Sequence, residues 1–215
     1  MELDPTRTAV IAVHLQKDIV NADGAFGGFF AAQAVERDVV AVNSTLLDAA
    51  RRAGATVVYT RVAWQPGLAD LIVNSPILQI VQQSGCLVDG SDKAKILDEL
   101  TPKDSDLVVT HQRVGGFSAS QLDHLLRSLG VDTLLFTGVA TNFSVEGTAR
   151  QASDLGYRTV IVADACSAAD PATHDASIAS LGLLAEITTS AEVLETLSAD
   201  RRSGSQSATS ANSAS

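Results

Sequence analysis

The chain has 215 residues, 46% of them apolar and 19% charged, which is enough for one α/β domain with a buried core and too few for two. Fifteen Lys and Arg against 25 Asp and Glu leave a formal net charge of −10, which disfavours a nucleic-acid backbone or an anionic membrane as partner because both would repel it. Two cysteines, Cys86 and Cys166, cannot build a disulfide framework or a cysteine-rich zinc site, and read as small apolar fillers.

No apolar run approaches the roughly 18 residues of a membrane span. The opening Met1-Glu2-Leu3-Asp4-Pro5 has neither the basic region nor the apolar stretch of a secretory signal, so a cytoplasmic location is expected.

In chain order, Thr8 to Val13 is apolar at nearly every position, as a strand covered on both faces must be. Gly24, Gly27 and Gly28 alternate with Phe26, Phe29 and Phe30 in an expected loop, better suited to a pocket wall or subunit contact than to cradling phosphate. Val39, Val42, Leu46 and Leu47 fall at helical spacing, predicting one helix from Val35 to Ala53 that stops at Gly54. Strands are expected at 56–60, 107–110, 133–136, 159–162 and 186–188. Helices are expected near 120–129, 144–155, 172–181 and 190–198. The segment from Gln65 to Pro102 is less regular and reads as a lid or interface region. Strand–helix alternation implies right-handed βαβ units, hence an α/β, doubly wound, mostly parallel six-stranded sheet flanked by helices. One domain is expected over 1–200, and the Ser-rich tail 201–215 offers nothing to bury and is expected to be disordered.

Ligands of open parallel sheets bind beyond the carboxyl ends of the strands. The sequence places His14 after the first strand, His111 after the third and Ser144 shortly after the fourth, at an expected helix start. A lone histidine there is often just a hydrogen-bonded core residue, and a serine there is often just a helix cap. Together they also have the makings of a catalytic centre: imidazole can take the hydroxyl proton, and free N–H groups at a helix start can hold an oxyanion. His124 and His174 read as ordinary surface positions. Trp64, after the second strand, reads as a pocket wall or as core. No Walker motif, G-x-S-x-G elbow or early G-x-G-x-x-G is present.

Three stretches carry a resemblance: Ala9-Val10-Ile11-Ala12-Val13-His14-Leu15-Gln16-Lys17-Asp18, Asp106 to Phe117, and Thr137-Gly138-Val139-Ala140-Thr141-Asn142-Phe143-Ser144-Val145 through Arg150. They resemble the apolar strand with D-M-Q-x-D, the D-x-V-x-x-K-x-R-x-S-A-F and the T-G-V-x-T-x-x-C-V-x-x-T-A-R of the isochorismatase-like hydrolase superfamily, the cysteine hydrolases. Ala163-Asp164-Ala165-Cys166-Ser167, with His174 beyond it, also fits. The resemblance covers about residues 6–198 and implies a Rossmann-like three-layer sandwich, no cofactor, a small-molecule substrate and a homodimer or homotetramer.

The family's Asp, Lys and Cys fall on His14, His111 and Ser144 here. The family's cis peptide would fall at Val139–Ala140, giving an oxyanion hole from the N–H groups of Ala140 and Ser144. Gln16, Phe26, Trp64 and Phe117 are the expected substrate-binding residues, and an apolar portion in the substrate follows from them. The Asp and His zinc ligands of nicotinamidases have no counterpart around Trp64-Gln65-Pro66, and the acid and lysine kept by isochorismatases proper are absent.

Three functions remain open. One is a Ser/His hydrolase of a small amide, ester or lactone, with His14 as base and His111 assisting by charge or proton donation. Another is a non-hydrolytic isomerase or lyase in which Ser144 only donates a hydrogen bond. The third is a catalytically silent binding subunit. No metal is expected; two imidazoles could bind zinc, but only Asp18 offers itself as a third ligand.

Overall fold

The computed structural model describes residues 1–198, so the expected tail at 201–215 lies outside the described residues. Six strands form one sheet: β1 (Thr8–Val13), β2 (Thr56–Val62), β3 (Leu107–His111), β4 (Thr133–Val139), β5 (Arg158–Ser167) and β6 (Glu186–Thr188). Their order is β3-β2-β1-β4-β5-β6, and every neighbouring pair is parallel. The sheet is thus fully rather than mostly parallel.

β1 and β4 are buried along their whole lengths because helices cover both faces. Side chains of β1 alternate between two cores: Val10 and Ala12 pack on one face, Ala9, Ile11 and Val13 on the other. On the first face lies α3 (Val39–Ala53), whose Leu46, Leu47 and Ala50 are fully buried. On the second lie α5 (Leu122–Ser128) and α6 (Glu146–Asp154), through Leu122, Leu126, Ala149 and Ala152. The remaining helices are α1 (Lys17–Val20), α2 (Gly27–Glu36), α4 (Pro76–Ser84) and α7 (Pro171–Leu181), with a further helix at 190–198.

Two sequence expectations need correction here. The continuous helix expected from Val35 to Ala53 is broken at Asp38, whose φ of 50° is left-handed. Val35 belongs to α2 and is 75% exposed. Arg37, at the break, is held by the carbonyls of Cys166 and Ala163, and these bonds favour the turn over the helical period. The Gly/Phe stretch, expected as a loop, enters α2 at Gly27.

The strand order reverses between β1 and β4, since the chain leaves β1 toward β2 on one side and returns through β4 on the other. A crevice opens at the carboxyl ends of two such strands. Gly138 keeps that crevice narrow: at φ 111°, a Cβ there would lie 2.1 Å from the Val13 carbonyl oxygen. Only glycine lets β4 approach the end of β1 so closely.

Candidate active site

β1 ends at Val13, and His14 turns out of the sheet with a left-handed φ of 50°. That region is sparsely used, though His tolerates it better than branched residues do. The turn is held by His14 N–H donating to Thr60 C=O at 3.0 Å and Gln16 N–H donating to His14 C=O at 2.8 Å. The imidazole thereby sits at the crevice, 4% exposed.

His111 closes β3, opposite Val62 of β2, and is fully buried. Its Nδ1 lies 2.8 Å from the Arg113 carbonyl oxygen, and its Nε2 lies 2.9 Å from Nε2 of His14. A carbonyl only accepts, so the neutral His111 carries its proton on Nδ1 and presents a bare Nε2. His14 must then donate from Nε2, which leaves its Nδ1 as a lone pair with no protein partner among the described residues. Burial pushes the pKa of His111 down to about 4 against the carbonyl bond, and burial with the neighbouring His111 pushes His14 well below its usual 6.5. Both rings are neutral at physiological pH. Burial thus disfavours a charge on His111, whose Nε2 faces the imidazole of His14.

Ser144 lies in a wide turn, Thr141–Val145, between β4 and α6, and is 7% exposed. Its hydroxyl caps no helix: α6 begins at Glu146 with no side-chain cap. Its carbonyl accepts from the Thr148 hydroxyl, and its own hydroxyl has no protein hydrogen bond among the described residues. The peptide Val139–Ala140 is cis, where the resemblance places it.

His174 corrects a further expectation. It is only 3% exposed, not a surface residue, and it packs from α7 behind the serine turn. Arg37 donates to its Nε2 at 3.0 Å, so its Nδ1–H donates to the Thr141 hydroxyl at 2.8 Å. Ser177 of the same helix donates its hydroxyl to the Glu146 carboxylate, at the start of α6, and lies against the Thr141 carbonyl. The serine turn is thus anchored to α2 and α7.

His14, Ala140 and Ser144 line one cavity of about 510 Å³, counted with its mouth. Phe26 and Phe30 of the Gly/Phe stretch, together with Trp64, form part of its wall, whereas Phe29 is 51% exposed. His111 sits behind His14, outside the lining. Gln16 and Phe117 also lie elsewhere. The fully buried Gln16 amide is used on Val62 N–H, Val62 C=O and Ala94 C=O, and so ties loop 94 to β2. Phe117 packs on Tyr157, ring centroids 5.9 Å apart.

Sequence reasoning missed the wall supplied by α4, where Ile77, Leu78 and Val81 face the cavity. Ser75-Pro76 followed by apolar residues at three- and four-residue spacing was the available signal. Ile19, Val62, Leu87, Arg113, Val114, Val139 and Phe143 are further lining residues it missed. Among the described residues no cluster of three or more His, Cys, Asp or Glu could hold a metal. Asp18 accepts instead from the backbone N–H groups of Leu87 and Ala25 at 2.9 and 3.3 Å.

Residues 8–192 match the Isochorismatase domain family model, which spans most of the chain. The chain belongs to the isochorismatase family. Among its relatives, an uncharacterized isochorismatase family protein of Bacillus subtilis, YwoC, is 32% identical over 178 residues, covering 83% of this chain and 87% of that protein. The ureidoacrylate amidohydrolase RutB of Klebsiella pneumoniae is 32% identical over 185 residues, 78% of this chain and 76% of that one. A cysteine hydrolase crystal structure from Pseudomonas syringae superposes with a TM-score of 0.82 at 28% identity, covering 93% of this chain and 96% of the other. Within this isochorismatase-family hydrolase fold, His14 and Ser144 line the cavity, and His111 pairs with His14 from outside the lining. No described helix is long and apolar enough to cross a membrane.

Proposed function

We propose that this isochorismatase-family member hydrolyses a small-molecule amide, ester or lactone through Ser144, with His14 as general base. One observation carries the reading: His14, whose Nδ1 has no protein partner among the described residues, lines the same cavity as Ser144. An amidohydrolase among the relatives supports a C–N bond as the one cleaved.

In this reading Ser144 Oγ attacks the substrate carbonyl carbon while its proton passes to His14 Nδ1. The positive charge developing on His14 is shared through Nε2–H with the bare Nε2 of His111, itself fixed by the Arg113 carbonyl. The carbonyl oxygen becomes an oxyanion, received by the N–H groups of Ala140 and Ser144. Collapse of the tetrahedral species breaks the scissile bond, and the leaving amine or alcohol takes the proton from His14. Water then attacks the acyl-serine by the same steps, giving the acid and free enzyme. The apolar lining keeps other water away from the acyl-enzyme and sets the substrate's shape.

A p-nitrophenyl ester of a small apolar acid tests this. A burst of p-nitrophenol equal to the enzyme concentration is expected from the native chain, and none from Ser144→Ala. A burst that survives the substitution removes Ser144 from the chemistry.

One observation favours a second reading. Ser144 Oγ is hydrogen-bonded to neither histidine. In that reading His14 alone performs acid/base chemistry and the serine only donates a hydrogen bond. Hydrogen bonds of this kind often tighten only with substrate bound, so the first reading stands ahead.

A further inference from the structure

We propose that His174, locked in one tautomer by Arg37, is a positioning residue: through the Thr141 hydroxyl it fixes the turn that carries Ala140 and Ser144 into the cavity lining. This deepens the proposed function, because it rests on those two N–H groups receiving the oxyanion.

The turn at Thr141–Val145 has two sides. Ala140, Phe143 and Ser144 line the cavity, whereas Thr141 is fully buried and lies outside the lining. α7 grips both ends of the turn with residues three apart, which share a helix face. His174 donates from Nδ1 to the Thr141 hydroxyl at 2.8 Å, and the Ser177 hydroxyl donates to the Glu146 carboxylate, one residue past Val145. Backbone bonds pass this hold on to the cavity side. Phe143 N–H and Val145 N–H both donate to the Ala140 carbonyl, at 3.1 and 3.2 Å, and Glu146 N–H turns back to the Thr141 carbonyl. A shift at Thr141 therefore moves Ala140, its chain neighbour, and the Ser144 that the same bonds enclose.

Arg37 sets the direction of the hold. Its guanidinium is spent on neutral acceptors: the Cys166 carbonyl at 3.0 Å from Nε, and the Ala163 carbonyl at 3.2 Å and His174 Nε2 at 3.0 Å from one Nη. Both carbonyls belong to the stretch where β5 shifts register against β4, beyond the Ile161–Phe136 pair. One arginine thus ties the irregular part of β5 to the histidine that holds the turn leaving β4. A guanidinium only donates, so Nε2 of His174 must be a bare acceptor and the ring proton must sit on Nδ1, facing Thr141. Burial first and the Arg37 charge second lower the His174 pKa, against Asp175, which keeps the ring neutral. An apolar contact would press α7 on the turn without setting its angle, whereas a hydrogen bond is directional.

Two measurements on the full chain test this. Ring-nitrogen NMR at pH 7 without substrate is expected to show His174 as the Nδ1–H tautomer. The Ser144 amide resonance should move in His174→Phe and in Thr141→Val, and stay near its native position in His174→Asn, whose amide N–H can replace Nδ1–H. Where the Phe variant fails to fold, Thr141→Val, which removes only the hydroxyl interaction, carries the comparison. On the p-nitrophenyl ester, His174→Phe and Thr141→Val should each lower kcat at least about tenfold with KM within about threefold, as small misplacements of reacting groups do. The double variant should be no slower than His174→Phe alone, and His174→Asn should recover part of the loss. An Nε2–H or charged His174, a Ser144 amide unmoved by both substitutions, an intact kcat, losses that multiply in the double variant, or a KM rising as far as kcat falls would each overturn the role. The spectra need no turnover, so they judge His174 even where a missing burst from the native chain has removed Ser144 as nucleophile.

Discussion

The Nε2 atoms of His14 and His111 lie 2.9 Å apart, and in the neutral pair only His14 can carry the proton between them. The Arg113 carbonyl settles this, because it claims the Nδ1–H of His111 at 2.8 Å. A backbone oxygen thus leaves Nδ1 as the unprotonated nitrogen of the neutral His14 ring. A third group orienting the base of a nucleophile–base pair is a recurring arrangement, and in the proposed mechanism His111 takes that place as a neutral ring instead of a carboxylate.

If His111 acts only through His14, its loss should lower kcat and leave KM alone. His111→Phe is expected to reduce turnover by about 10²–10⁴-fold, as loss of acid–base function does. His111→Asn, whose side-chain oxygen can still accept from His14, should recover part of the rate. Steady-state kinetics of both variants on a responsive ester check this. A rise in KM equal to the fall in kcat/KM would place His111 against the substrate instead.

The pH dependence of activity follows from the depressed His14 pKa. The base is already neutral at pH 7, so turnover should stay flat as pH falls through 6.5 and drop only well below it. An exposed histidine would lose half its basicity near pH 6.5. A pH–kcat/KM profile distinguishes the two, and a midpoint near 6.5 would show that the base is not buried in the working enzyme.

Stability has the same origin. Folding lowers the His111 pKa from 6.5 to about 4, so the unfolded chain binds the extra proton between these values. The resulting stabilisation is complete above about pH 6.5 and is lost as pH falls toward 4, in total roughly 3 kcal/mol, with His14 adding in the same direction. Urea unfolding at pH 7 and pH 5 should show a steeper loss for the native chain than for His111→Asn.

Ser144→Ala separates chemistry from capping. The hydroxyl caps no helix and makes no protein hydrogen bond among the described residues, so Tm should move by less than the roughly 1 kcal/mol of a lost cap would shift it. Turnover should vanish. Differential scanning calorimetry beside an activity assay gives both readings.

Gly138→Ala tests the narrowness of the crevice. The added Cβ would meet the Val13 backbone at 2.1 Å, which no side-chain movement can relieve. The end of β1 must move, and His14 with it. A Tm loss of several degrees and a fall in kcat of at least about tenfold are expected, with the activity loss exceeding what partial unfolding explains.

The strands were legible in the sequence because double burial leaves a continuous apolar run, as in Thr8–Val13 and at 133–136. Their position then placed His14, His111 and Ser144 at one sheet edge. Local pattern could not show which faces would be used. Gln16, within a family-like motif, is consumed by backbone groups at Val62 and Ala94 that lie far off in sequence. His174 looked superficial because its partners, Arg37 and Thr141, come from other segments. The break at Asp38 was hidden for a similar reason: the carbonyls of β5 that hold Arg37 outweigh a helical period that continues through it. The protonation of His111 at Nδ1 was likewise set by a carbonyl two residues on, in a turn whose geometry the residue types did not announce.

The nucleophilic role of Ser144 is met most directly by covalent labelling. The full chain is treated with a small alkyl fluorophosphonate, and the modified residue is mapped by peptide mass spectrometry. A single adduct on Ser144 is expected, absent from Ser144→Ala and formed at least about a hundredfold more slowly in His14→Ala. An unmodified Ser144 under conditions that label an ordinary serine hydrolase, or labelling at an undiminished rate in His14→Ala, would contradict the account.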